Sequence, residues 1–270
     1  MNVYDIKQSK AMYRRKFIIK SASFLLGSLL GSNLFSKALA CERTGKSELL
    51  EPLLALIIDD IGPSVSRAKL FSDFGIPMTF AVLPRFLKSE DLAHEFHEAG
   101  HEIMLHQPME PKNPEVDPGP GALYVGDGPD KILKVMEMNI AAVPYAAGVN
   151  NHMGSKFTAH HKEMHQTLQI VKQRGLFFVD SLTASDSKGY KTARGLHMPV
   201  ACRNSFLDNQ LDVAVILRQL QKLARISLNY GHAIGIGHPY PETAKAIEVF
   251  LKDFKAPEIR FVGVSQLVAM

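Results

Sequence analysis

The sequence predicts an α/β fold: a (β/α) barrel of seven to eight parallel strands, distorted from the regular eightfold TIM pattern. Three observations predict it. Apolar runs of four to six residues recur from Pro52 onward. Longer stretches with apolar residues at three- and four-residue spacing separate them. A strand–helix alternation repeated about eight times in a chain of 270 residues suits a parallel sheet that closes or nearly closes on itself.

Leu53–Ile58 is the first run, nearly continuous in apolar residues as a parallel strand covered on both faces requires. Similar runs follow at Met78–Leu83, Ile103–Leu105, Ala146–Val149, Leu176–Val179, Met198–Ala201, Ala233–Ile236 and Ile259–Val262. Between them Val65–Phe74, Ser89–Ala99, Asp130–Val143, His160–Arg174, Leu211–Tyr230 and Glu242–Phe254 carry helical periodicity. Asp130 after Gly128-Pro129, and Thr243 after Pro241, are suitable helix starts. Pro108–Pro129 is rich in Pro and Gly and reads as a long loop over one end of the barrel.

The first 40 residues differ in kind. Arg14-Arg15 and Lys16 precede an apolar run ending near Leu34, and Ala38-Leu39-Ala40 offers small residues for cleavage. Residues 1–40 therefore read as an export signal, of twin-arginine type given Phe17 and Lys20 in step with the arginine pair, with an ordinary secretory signal as the alternative. The product would be periplasmic or otherwise exported. Without that segment 24 basic and 26 acidic side chains remain, so the net charge of +4 belongs to the signal. No basic stripe is left for nucleic acid. Residues 41–51 read as a linker and 52–270 as one barrel domain. Cys41, next to the cleavage site, has three readings: a lipid anchor that would give the only membrane contact, a disulfide with Cys202, or an unpaired thiol.

Barrel enzymes carry their chemistry where strands end at the carboxyl face. Here the strand ends deliver Asp59-Asp60, His106, Asn150-Asn151-His152, Asp180-Ser181 and His238 to one rim. Each alone has a bland reading as a cap or a turn; together they form a candidate site. On a regular strand Asp59 and Asp60 would point to opposite faces. Asp208 reads equally well as a turn or cap residue. His94, His97, His160, His161 and His165 fall on solvated helix faces.

Several of these segments resemble one family. Leu56-Ile57-Ile58-Asp59-Asp60-Ile61-Gly62 resembles the opening Asp-Asp motif of the polysaccharide deacetylases. His106-Gln107-Pro108-Met109-Glu110-Pro111, Gly119-Pro120-Gly121-Ala122-Leu123, Asn150-Asn151-His152-Met153-Gly154-Ser155, Phe206-Leu207-Asp208-Asn209 and Ala233-Ile234-Gly235-Ile236-Gly237-His238 resemble its divergent branch. The resemblance runs from about Pro52 to the C-terminus and implies a NodB-like deacetylase barrel. It implies Asp59 as general base, Asp60 and His106 as ligands of a divalent metal, commonly zinc, and His238 as general acid. Where that family places a second histidine four residues after the first, this chain has Glu110, with Pro108 between them. His152 then completes the ligand set, with Glu110 as a substitute ligand or a support for the ligands, and Asn150, Asn151 and Asp180 bind substrate or support the ligands. The arginine motif that orients the base in ordinary deacetylases is not evident.

The expected activity is hydrolysis of N-acetyl groups on peptidoglycan or another envelope carbohydrate. The altered motifs keep a second reading open, a carbohydrate-binding or envelope-assembly protein on the same barrel. A glycoside hydrolase, pairing Asp59 with Asp180 or Glu110 across a sugar, is a third.

Overall fold

The computed structural model describes residues 51–254 and 258–269. The export signal and Cys41 fall outside them. Leu53–Ile61 forms β1, and its burial alternates in destination. Leu54, Leu56 and Ile58 pack outward against helices, while Ala55 and Ile57 join a second cluster inside the curl of the sheet. Both faces are buried, which is why the run lacks polar residues until Asp59.

The other strands are β2 (Thr79–Val82), β3 (Glu102–Met109), β4 (Ala146–Met153), β5 (Phe177–Asp180), β6 (Val200–Cys202), β7 (Ser205–Phe206), β8 (His232–Gly237) and β9 (Arg260–Phe261). The order is β6-β5-β4-β3-β2-β1-β8-β7, with β9 beside the start of β1, and every pairing of these strands is parallel. The sheet ends at β6 and β7, which are not paired with each other, so the barrel is open along one seam. Two residues, Arg203 and Asn204, cross it. The Arg203 amide donates to the Asp180 carbonyl (3.2 Å), and the Asn204 amide donates to Ile234 on the far side (2.9 Å).

Helices pack outside: α1 (Val65–Ala68), α2 (Ser89–Glu98), α3 (Pro129–Ala141), α4 (His161–Gln173), α5 (Gly189–Gly195), α6 (Val213–Tyr230) and α7 (Pro241–Asp253). Pro129 and Pro241 open α3 and α7, where a missing N–H costs nothing. Asp212 caps α6 by accepting from the Val215 amide at 2.9 Å. The expected helix from Val65 breaks after Ala68 into a 3₁₀ turn, and α5 and β7 are additions to the sequence reading.

Inside the barrel lie Ala55, Ile57, Ala81, Met104, Phe177, Val179, Ile234 and Ile236. Gly148 of β4 is required there, because a Cβ would run into the Phe177 ring. This apolar layer closes the barrel below its mouth, so the next inward residue on each strand becomes the floor of an opening at the carboxyl end.

Candidate metal centre and its surroundings

One step beyond the apolar layer, the inward positions turn polar: Asp59 follows Ile57, His106 follows Met104, and Asn150 follows Gly148. The register pairs His106 with Asn150 directly. Asn150 Nδ2 donates to Asp59 Oδ1 at 2.8 Å, and Asn150 Oδ1 lies 2.7 Å from His106 Nδ1. A carboxylate only accepts, so the amide NH₂ must face Asp59 and the amide oxygen must face the histidine. His106 Nδ1 therefore carries a proton, and in the neutral ring Nε2 keeps its lone pair.

That lone pair points into a cluster of three ligand atoms. Asp60 Oδ1 is 3.2 Å from His106 Nε2 and 2.9 Å from His152 Nδ1, and the two nitrogens are 3.1 Å apart. Asp60 reaches it because its φ is +58° and the strand register shifts between Ile58 and Ile61. The expectation that the two aspartates diverge is thereby corrected. A left-handed residue interrupts the alternation, and both carboxylates face the mouth, Asp59 Oδ2 lying 3.6 Å from the same His106 nitrogen. Such backbone is costly for a residue with a side chain, and it recurs at Met153 (φ +52°) and Leu182 (φ +48°), also at strand ends on this rim.

The cluster suits a cation. Asp60 Oδ1 is buried and has no hydrogen-bond partner of proper geometry. Burial would raise its carboxyl, but the two imidazoles against it override burial and hold it well below the usual range. Burial likewise would lower His106, yet Asp59 and Asp60 outweigh it and raise the ring. Two carboxylates thus demand positive charge at a spot where three donor atoms already sit about 3 Å apart. Ligand atoms placed ~2.0–2.1 Å from a common tetrahedral or octahedral ion stand about 3 Å from each other. Asp60, His106 and His152 fit a divalent metal.

His238 follows β8. Its Nδ1 lies 2.9 Å from Asp208 Oδ1, whose other oxygen accepts from the His238 amide (2.6 Å) and from Thr243 (2.8 Å). Burial would lower the imidazole, but the Asp208 carboxylate, with Asp59 and Asp60 beyond it, pushes it up to about 9. Asp59 is raised in its turn, by burial above all. Asp59, Asp60, His106, His152 and His238 line one cavity of about 280 Å³ together with Asn151, Met153, Ser181, Thr183, Phe206 and Tyr240. Phe206 and Tyr240 flank the His238 ring, each 6.0 Å from it.

Two residues named from the sequence lie elsewhere. Asp180 faces out of the barrel, accepting from the Leu182 amide (2.9 Å), Ser187 (2.8 Å) and the Tyr190 amide (2.9 Å) to tie down the loop before α5. Glu110 is held by Lys156 (2.6 Å) and the Val125 amide (2.8 Å), outside the ligand cluster. Asn151 lines the cavity but spends its amide on neighbours, accepting from the Ser181 amide (3.0 Å) and donating to the Met153 carbonyl (2.8 Å). Sequence reading gives no site role to Phe206, Tyr240 or Arg203, weighs Asp208 only as a turn or cap, and sets Ser181 on the rim only as the neighbour of Asp180. For Ser181 the signal existed: Phe177 and Val179 point inward, so period two carries Ser181 inward and Asp180 outward.

An open parallel barrel with a metal-competent Asp-His-His cluster, a buried carboxylate and an Asp-paired histidine defines the class of protein at hand. The chain belongs to the divergent polysaccharide deacetylase family, which it matches over residues 56–268. It is 31% identical over 224 residues to the uncharacterized protein YibQ of Escherichia coli, covering 82% of this chain and 69% of that one. It is 28% identical over 214 residues to an uncharacterized protein of Haemophilus influenzae, covering 79% and 76%. A crystal structure of an uncharacterized protein from Agrobacterium tumefaciens superposes with a TM-score of 0.76 at 27% identity, over 81% of this chain and 89% of that one.

Proposed function

We propose that the protein is a metal-dependent hydrolase that removes N-acetyl groups from an envelope carbohydrate such as peptidoglycan, acting in the periplasm or at the cell surface after export. The observation that carries this reading is the gathering of a buried carboxylate, Asp59, an Asp208-paired histidine, His238, and a metal-competent triad around one cavity. Asp60, His106 and His152 would hold the metal; two imidazoles and one carboxylate suit zinc. When bound, it polarises an acyl carbonyl and acidifies water.

The chain's own groups divide the remaining work. Asp59, kept basic by burial and oriented by Asn150, takes a proton from the attacking water. The water oxygen bonds to the acyl carbon as the carbon–nitrogen bond breaks. His238, protonated at neutral pH by its Asp208 partner, gives its proton to the departing amine. Amide and water thus become acetate and a free amino sugar. Asn150, in a chain without the family's arginine motif, orients the base by donating to Asp59 Oδ1 and, being neutral, adds no charge of its own. Phe206 and Tyr240 offer apolar faces for a sugar ring.

Acetate release from chitooligosaccharides and peptidoglycan fragments, with added zinc and with chelator, tests the reading. Zinc-dependent release supports it, and no release from folded, metal-loaded protein refutes it. A second reading, a glycan-binding protein on the same barrel, rests on Glu110 and its Lys156 partner in place of the family's second histidine. It predicts glycan affinity that survives in Asp59→Asn beside a parent without turnover. A glycoside hydrolase is disfavoured, since neither Asp180 nor Glu110 faces Asp59 across the cavity. Attachment to a membrane, on this proposal, would come through lipid on Cys41 alone.

A further inference from the structure

Ser181 is held at two of its three polar atoms. Its amide donates to Asn151 Oδ1 at 3.0 Å, and its carbonyl accepts from Arg203 Nε at 2.7 Å. Its hydroxyl has no hydrogen-bond partner although the residue is 1% exposed. Buried hydroxyls are ordinarily paired, and one left unpaired costs stability. The backbone on both sides of that hydroxyl is committed to these bonds. The guanidinium that grips the Ser181 carbonyl also donates to the Leu182 carbonyl at 3.1 Å and lies 3.7 Å from the centre of the Phe206 ring. Arg203 thus bolts the end of β5 to β7 across the open seam, with Ser181 turned into the cavity that holds Asp59 and the triad.

From this we infer that Ser181 is a recognition residue whose hydroxyl hydrogen-bonds the amide of the substrate's acyl group. The identity of the ligand rests on the hydrolase reading above; the presence of an unpaired, fixed hydroxyl does not. Ser181 lies as deep as Asp59 (2% exposed) and His106 (1% exposed), so only the part of a substrate that reaches the floor can touch it. In an N-acylated sugar that part is the acyl amide, while the ring stays beside Phe206 and Tyr240. The hydroxyl is not a nucleophile: it has no bond to His152 or His238, so no base activates it.

The test uses zinc-loaded protein carrying Asp59→Asn to stop turnover, with and without Ser181→Ala. Affinities for chitotetraose and for its fully de-N-acetylated counterpart are measured by calorimetry, alongside metal content and thermal melting. Loss of the hydroxyl should weaken chitotetraose binding roughly tenfold and leave the free-amine sugar unchanged. It should leave the metal in place and keep or raise Tm by about 2–4 °C, because an unpaired buried group has been removed. Ser181→Cys, near in size and a weaker hydrogen-bonder, should fall between.

An unchanged preference for the acetylated sugar overturns the inference. So does a drop in Tm with equal loss of both affinities, which would make the hydroxyl structural. A parent that binds neither sugar and releases no acetate overturns this inference and the hydrolase reading together. A parent that binds with the predicted preference and loses it in Ser181→Ala, yet releases no acetate, refutes only the hydrolase reading.

Discussion

The barrel interior holds two layers, two residues apart on the same strands, and they are built to opposite ends. Below are Ile57, Met104, Val179 and Ile236, fully buried and apolar. Above are Asp59, His106, Ser181 and His238. The lower layer satisfies itself by packing. The upper one keeps Asp60 Oδ1 and Ser181 Oγ unpaired, and three rim residues in left-handed backbone. Stability is gathered in one layer and spent, two residues further on, in the other.

Mutations that fall cleanly on one layer can break that division. The largest effect is expected from His106→Ala: bound metal, measured by elemental analysis, falls from near one per chain to background, and turnover goes with it. Changes merely around a ligand cost ~10–100-fold in metal affinity, so loss of a ligand should exceed that. Asp59→Asn should lower acetate release by ~10²–10⁴-fold while the metal stays, since it removes proton transfer alone. Full activity in either variant would dissolve the site as drawn.

Asp208→Asn sharpens the comparison through pH. His238 must be protonated to act and Asp59 deprotonated, so the rate should rise through an acid limb above the usual carboxylate value and fall through an alkaline limb near 9. Without Asp208 the alkaline limb should slide toward the ordinary imidazole value of 6.5. The same raised pKa bears on folding. The stabilisation it represents is complete below 6.5 and lost as pH climbs through about 9. Urea melts of parent and variant across that window should converge at the alkaline end. An alkaline limb that does not move in the variant would remove Asp208 from the account.

The smallest effect on chemistry should come from the lower layer. Ile57→Ala should cost about 2–5 kcal/mol of stability by opening a cavity, yet leave metal content and acetate release per folded molecule nearly unchanged well below Tm. If it empties the metal site instead, the two layers are one cooperative structure.

Most of the lower layer was legible in the sequence, because burial on both faces writes itself as an unbroken apolar run. The strand ends were legible too, since polarity begins there abruptly, at Asp59 and at His106. What failed was direction. Position at a strand end puts Asp180 among the rim candidates, but the alternation from Phe177 and Val179 points it outward. Asp60 was expected to diverge from Asp59, and one left-handed residue brings the two together. The two-residue strand β7 and the short helix α5 left no periodic trace long enough to read.

By itself, then, the sequence determined that strands alternate with helices, that a polar rim crowns an apolar barrel, and that acids and imidazoles sit on that rim. These follow from local rules: hydropathy, period two, period 3.6. The tertiary structure alone decided that Glu110 is held by Lys156 outside the cluster, that Asn150 bridges base and ligand, and that Arg203 closes the seam behind Ser181. Those contacts join residues 22 to 91 positions apart in the chain, and ångström distances between them are set by inter-strand register, which no local pattern encodes.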